Sequence, residues 1–188
     1  MKFLTNSVTV NLEGRNIRSA VQPTGWALRA AFPDRWLRIH SLANSRRYAE
    51  TEEEWGELRS RHRHATSFLF CEGQLGFLIV PWMRAPDGVF RELGLTPSQE
   101  LPGYQPDDDE PPNGPFHIAP LHWSFDSFLP ILEAVANDAT RAVFVSADTA
   151  RIYAPYDGGA DLFFPAPDLL PAARTALADY LSGRADGL

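Results

Sequence analysis

The stretch from Arg141 to Pro165, RAVFVSADTARIYAPYDGGADLFFP, constrains the fold more than any other, because it reads as three short strands joined by two tight turns. Ala142–Val145 is a compact apolar run closed by Ser146-Ala-Asp-Thr149, and Ile152–Tyr156 is a second, closed by Asp157-Gly-Gly159. The Asp and Gly residues of that second turn tolerate positive φ, which suits a primed hairpin turn or a bulged loop. Asp161–Phe164 supplies a third strand, stopped by Pro165 and Pro167. Three strands of this kind are not stable alone, so the rest of the chain must cover one face with apolar surface.

Upstream segments offer that cover. Trp26, Ala27, Ala30 and Ala31 share a helical face that begins at Thr24 and is ended by Pro33. Trp36–Leu42 then alternates, with Trp36, Arg38 and His40 on one side and Leu37, Ile39 and Ser41 on the other, the period of a strand. Thr51-Glu-Glu-Glu54 is a capping box, and Trp55, Leu58, His62 and Ala65 follow at helical spacing to about Phe70. Glu72-Gly73 breaks the pattern, and Leu75–Val80 is a short apolar run that reads as a buried strand. His117–Trp123 is extended, with Pro120 pointing to a sheet edge. Proline tolerates the first turn of a helix, so Pro130 places a helix start near Asp126 or Ser127, with Leu129, Leu132, Val135 and Ala136 buried. A last helix is capped by Asp168, carries a Leu170, Ala173, Leu177, Leu181 stripe and stops at Gly183. Residues 1–21 alternate weakly and are expected to form a strand or arm. The expected architecture is α+β: a mainly antiparallel sheet with helices packed on it, and a C-terminal meander followed by a helix. A parallel three-layer sandwich is the alternative.

Length fits one domain spanning residues 1–188, with enough chain for a sizeable core. Within it, residues 84–116 hold seven prolines and the run Asp107-Asp-Asp-Glu110, and are expected to be a long acidic loop without regular structure. Charge is uneven along the chain. Residues 1–83 carry 11 basic and 8 acidic side chains, residues 84–116 carry 2 and 7, and residues 117–188 carry 4 and 9, which together give the net charge of −7. That balance argues against nucleic acid, whose phosphates need clustered Lys and Arg. The single cysteine, Cys71, rules out an intramolecular disulfide and reads as a small buried hydrophobe. The opening residues lack an apolar run of signal-peptide length and no later segment is long enough to span a bilayer, so a cytoplasmic protein without membrane contact is expected.

Two stretches resemble a known family. Trp36-Leu-Arg-Ile-His-Ser-Leu42 with Ser45-Arg-Arg-Tyr-Ala49, and Tyr153-Ala-Pro-Tyr-Asp-Gly-Gly-Ala-Asp161 with Tyr180-Leu-Ser182 and Gly187-Leu188, are similar to a family of uncharacterised bacterial proteins. The resemblance implies a bacterial, cytoplasmic, single-domain protein and brings no functional residues with it.

Several groups of residues carry chemistry that must be weighed against simpler roles. Asp157 and Asp161 flank Gly158-Gly159 and offer an acid/base or cation pair, while the plainer reading makes Asp157 a turn former and Asp161 a partner for a backbone amide. Arg38, His40, Arg46 and Arg47 could gather on an anion, guanidinium forks being suited to oxyanions. Arg59, Arg61 and Arg63 are more simply helical partners of Glu52, Glu53, Glu54 and Glu57. The spacings His62/His64 and His117/His122 do not match a zinc pair, so no metal is expected. No phosphate loop, nucleophile elbow or dinucleotide fingerprint is present, and no cofactor is expected. Trp82 and Trp123 bracket the acidic loop and would make an aromatic rim for a partner, although tryptophans in such positions are most simply core.

Two functions follow. In the first, the chain is a non-catalytic binding protein, inhibitor- or immunity-like, docking a basic protein through Asp107, Asp108, Asp109 and Glu110 with Trp82, Trp123, Arg38, Arg46 and Arg47. In the second it is an enzyme acting on a phosphorylated or otherwise anionic small molecule, with His40, Asp157 and Asp161 as catalytic candidates.

Overall fold

The computed structural model describes residues 8–12, 15–19, 23–81, 90–91, 93–97, 99–101, 115–147 and 149–184. Trp82 and the acidic run Asp107–Glu110 lie outside the described residues. Strands β1 (Val8–Leu12) and β2 (Arg15–Ser19) pair as a two-stranded antiparallel ribbon. Seven further strands form the main sheet: β3 (Trp36–His40), β4 (Leu75–Pro81), β5 (Gln99–Leu101), β6 (Phe116–His122), β7 (Val143–Ser146), β8 (Ile152–Tyr156) and β9 (Gly159–Phe163). Their order is β3-β9-β8-β7-β4-β6-β5, and each neighbouring pair runs antiparallel. The fold is therefore α+β, and the parallel sandwich is overturned by every pairing in the sheet.

The alternation of β3 is what the sequence spacing demands: Leu37 and Ile39 are buried while Trp36, Arg38 and His40 are half-buried. Cross-strand registers carry this two-sidedness over the sheet. One face presents Leu37, Ile39, Leu162, Tyr153, Phe144 and Leu78 to α2 (Glu52–Ser67), α3 (Phe125–Ala136) and α4 (Leu170–Ala176). The opposite face gathers Phe77, Ile79, Ile118, Val143, Ala154 and Phe163 into a second core with Leu28 of α1 (Gly25–Ala31).

Several expectations are corrected by packing. In α1 the buried residue is Leu28, and Trp26 points outward at 49% exposure, because the helix is anchored through Leu28 and Phe32 rather than through its alanines. The helix α3 starts at Phe125 after Ser124, so Pro130 lies inside it rather than in the first turn; its missing amide leaves the Asp126 carbonyl, near the helix start, without its usual partner. The burial of Phe125 and Phe128 sets that earlier start. Asp168 caps nothing: a short 3-10 turn, Pro167–Leu169, precedes α4, which ends at Ala176. Leu181 then leaves the helical stripe and bridges Ile39 on the outer side of β3.

The segment expected to be a structureless loop contributes β5 and the buried Phe90. In the sequence Pro97 and Pro102 bracket a proline-free run, and Gln99–Leu101 within it pair with β6. Pro120 sits beyond that pairing, which reaches only Phe116–Ile118, so its missing amide is tolerated without β6 being an edge strand along its whole length. Cys71 is exposed, since the chain turns after Phe68 and places Leu69 and Phe70, not the thiol, inward. In the β8–β9 hairpin Tyr156 pairs with Gly159 across Asp157-Gly158, yet none of these residues adopts positive φ. The glycine at 159 answers a close approach instead: a Cβ there would lie 2.0 Å from the Ile39 carbonyl oxygen.

Candidate functional site at the corner of the sheet

Register alone assembles the polar corner. Arg38 pairs with Asp161, which pairs with Ala154; one row over, His40 pairs with Gly159 and Gly159 with Tyr156. All these side chains project from the face that α1 partly covers. Asp161 is 1% exposed and accepts from Arg38 Nε at 2.9 Å and Arg38 Nη2 at 3.3 Å, a two-pronged contact, and also from Arg29 on α1. Gly25 makes this approach feasible, because a Cβ at that position would come within 2.9 Å of an Asp161 carboxylate oxygen. The side chains of Arg29 and Arg38 are 25% and 13% exposed, so the ion they neutralise is buried while they reach the surface.

Aromatic rings hold the guanidinium groups in place. Arg38 lies over Tyr156 at 4.8 Å and over Trp36 at 5.7 Å, and Arg29 lies 5.8 Å from the Trp36 ring. Burial pushes the Tyr156 phenol up to about 12, with Arg38, Asp161, Arg29 and Asp157 all within electrostatic reach of it. At the hairpin tip, Asp157 forms an ion pair with Arg47, whose Nε lies 3.0 Å away, and accepts from the Tyr48 hydroxyl at 3.3 Å. His40 is held below the ordinary histidine range, first by burial and then by the positive charges of Arg38 and Arg61. Its Nε2 is buried with no hydrogen-bond partner among the described residues, and its carbonyl accepts from Arg61 at 3.3 Å.

Arg38, His40, Arg47, Asp157 and Asp161 thus share one corner. Arg46 does not join them: it pairs with Glu54 and, at 3.6 Å, with Glu50 at the start of α2. Trp123 is core, packed against Phe70 at 4.6 Å and Phe144 at 4.7 Å between ring centroids, and so takes no part in a rim. Among the helical arginines, Arg61 pairs with Glu57 at 2.5 Å and Arg59 reaches across to Glu133 at 2.8 Å, tying α2 to α3. Residues that sequence reasoning passed over are Arg29, Tyr48 and Tyr156. Tyr156 could have been found from its hairpin position opposite Gly159, where an aromatic ring shields a strand glycine.

Beneath the same strands lies a second polar group. His62 bonds Ser41 Oγ through Nε2 at 2.8 Å and the Tyr153 hydroxyl through Nδ1 at 2.5 Å, and all three residues are buried. Burial, helped by the charge of Arg61, lowers the His62 pKa to about 3, so the imidazole is neutral. No solvent reaches this chain of hydrogen bonds; its chemistry is to fix α2 against β8.

Residues 24–185, which include the whole corner, match the family described as Domain of unknown function (DUF3885). The chain belongs to that family. No curated protein and no solved structure matches this DUF3885 chain. Among the described residues no helix is long and apolar enough to cross a membrane, and no three His, Cys, Asp or Glu side chains are placed to share a metal ion.

Proposed function

We propose that the chain is a bacterial, cytoplasmic binding protein without catalytic activity, one that docks a basic protein partner as an inhibitor or immunity protein would. The observation that carries this reading is the condition of Asp157 and Asp161: Asp157 is ion-paired with Arg47, and Asp161 is fully buried and accepts guanidinium hydrogen bonds from two arginines. Carboxylates engaged in this way stiffen a surface rather than shuttle protons. Around them stand Trp26 and Tyr48, the latter 46% exposed, with Arg29 and Arg47. Aromatic residues and arginine are the types that anchor interfaces. The net charge of −7, with the Asp107–Glu110 run, would attract and orient a basic partner. Capture of partners from the source organism by the intact chain and by a 104–114 deletion, followed by calorimetry on the purified pair, tests this. A basic partner lost on deletion and weakened by Tyr48→Ala supports the reading; unchanged affinity in both variants sinks it.

One observation favours a second reading, an enzyme acting on an anionic or phosphorylated small molecule. Burial and then the charge of Arg38 hold His40 below the ordinary histidine range, and its Nε2 has no partner among the described residues. On this reading a thermal-shift screen of phosphorylated metabolites yields a substrate, and His40→Ala abolishes its turnover without lowering the melting temperature. A variant that only melts earlier makes His40 structural.

A further inference from the structure

Between β3 and α2 the chain from Ala43 to Tyr48 runs as six consecutive exposed residues. Within it Asn44 and Ser45 both adopt positive φ, 57° and 55°, a left-handed pair that side chains disfavour and glycine would adopt more readily. Such a pair persists only where its surroundings hold it. Here it is held from both ends. On the α2 side, the Ala43 amide donates to Glu57 at 3.2 Å, the Arg46 amide donates to the Ala43 carbonyl at 3.3 Å, and the Arg46 side chain pairs with Glu54. On the sheet side a single oxygen, Asp157 Oδ2, lies 3.0 Å from Arg47 Nε and accepts from the Tyr48 hydroxyl at 3.3 Å. The two side chains therefore stand together, their tethered atoms no further apart than those two contacts laid end to end. The Arg47 side chain is nevertheless 65% exposed, and among the described residues its two Nη groups have no partner.

We propose that Ala43–Tyr48 is a pre-shaped docking loop for a protein partner, and that Arg47 receives an Asp or Glu side chain of that partner while the Tyr48 ring packs beside it. Arginine and tyrosine are the residue types that dominate interface energetics, and both are held outward by the same carboxylate. Asp157 is the positioning residue: it fixes Arg47 through Nε and leaves the Nη groups to meet a planar acid. Asp157, Glu54 and Glu50 already lie along the loop, so a singly charged group is accepted where a dianion would be repelled. A run of exposed residues has no walls of its own to enclose a small molecule, so the opposing surface must come from another protein. The strained pair at Asn44 and Ser45 limits the shapes the loop can take before contact, which lowers the entropy lost on docking. The inference deepens the binding-protein reading and rests on it. A partner can be basic overall and still present one acid here, since net charge steers the approach and the single acid meets Arg47 at contact.

The probe is a displayed library of disulfide-closed peptides selected on the full chain, with the tightest peptide then titrated against the chain and its variants. That peptide is expected to contain an Asp or Glu whose change to the amide weakens binding about tenfold or more, the effect of losing a hydrogen bond to a charged group. On Arg47→Gln the same change in the peptide should have less than about a twofold effect, because the two groups act as a pair. Arg47→Lys still offsets the charge of Asp157 but lacks the planar fork, and should weaken the peptide about threefold or more. Ser45→Gly removes the left-handed penalty, so it should leave the melting temperature unchanged or higher while weakening the peptide by about the same factor. The proposal is overturned if no selected peptide loses affinity on Arg47→Gln, if the amide change costs the same on both proteins, or if Ser45→Gly binds as tightly as the parent chain. Peptide selection needs no natural partner. Its failure with partner capture intact rejects the loop alone, whereas capture unaffected by both the 104–114 deletion and Tyr48→Ala rejects the binding-protein reading.

Discussion

On the helix-covered face of the sheet, Ser41, His62 and Tyr153 are buried as a neutral chain of hydrogen bonds; on the opposite face, Asp161 is buried as an ion. The neutral chain needs no compensating charge, and it is sealed off completely. The ion requires compensating charge, and arginine brings that charge on long stems whose outer parts remain wet. Burying a carboxylate at the sheet corner thus obliges the protein to display cations at the surface above it. Recognition chemistry follows from the ionic solution and not from the neutral one.

The sharpest way to break this contrast is to remove the ion. Asp161→Asn leaves two guanidinium groups facing a neutral amide, and urea denaturation should show a loss of about 4 kcal/mol. A loss below about 1 kcal/mol would mean that Arg29 and Arg38 are held by Trp36 and Tyr156 instead. Next in size, Gly159→Ala drives a methyl group into the Ile39 carbonyl and should cost about 3 kcal/mol, read in the same assay. If it is tolerated, the β3–β9 pairing is looser than the register implies.

The neutral chain makes a prediction of its own, in pH. His62 titrates near 6.5 when unfolded and near 3 when folded, so the unfolded state takes up the proton first as pH falls. Its contribution to stability is full above pH 6.5 and declines toward pH 3 by about 1.4 kcal/mol per unit. Between pH 6.5 and pH 5, before carboxylates interfere, the loss should be about 2 kcal/mol. His40 is lowered as well, so the measurement belongs in a His40→Ala background, where the slope assigned to His62 must persist. Smallest of the set, Thr51→Ala removes the side-chain half of the capping box that starts α2, and should cost about 1 kcal/mol without altering the pH slope.

Local physics made much of the fold legible. The alternation of Trp36–His40, the capping box at Thr51 and the C-terminal meander all follow from periodicity and turn chemistry, and each appears in the sheet or in α2. Features decided by distant contacts were hidden. Arg29 belongs to the corner only because Asp161, 132 residues away in sequence, arrives beside it. His62 reads as one position of a helical stripe until Ser41 and Tyr153 close around it. Leu181 fits a helical stripe by spacing, but the outer strand claims it as a bridge. Asp157 was legible as a turn former, whereas its capture by Arg47 and Tyr48 required the whole sheet to form.

The pairing of β3 with β9 also bears on how the chain is made. Trp36 finds its partner only when Phe163 is available, and among the described residues the outer side of β3 is bridged by Leu181. During synthesis the early strand must therefore wait for its partner until residues 159–163 have left the ribosome. Such long-range closure slows folding and favours aggregation of truncated chains. A nascent chain stalled before residue 159 would lack the β9 partner on which both the sheet corner and its arginines depend.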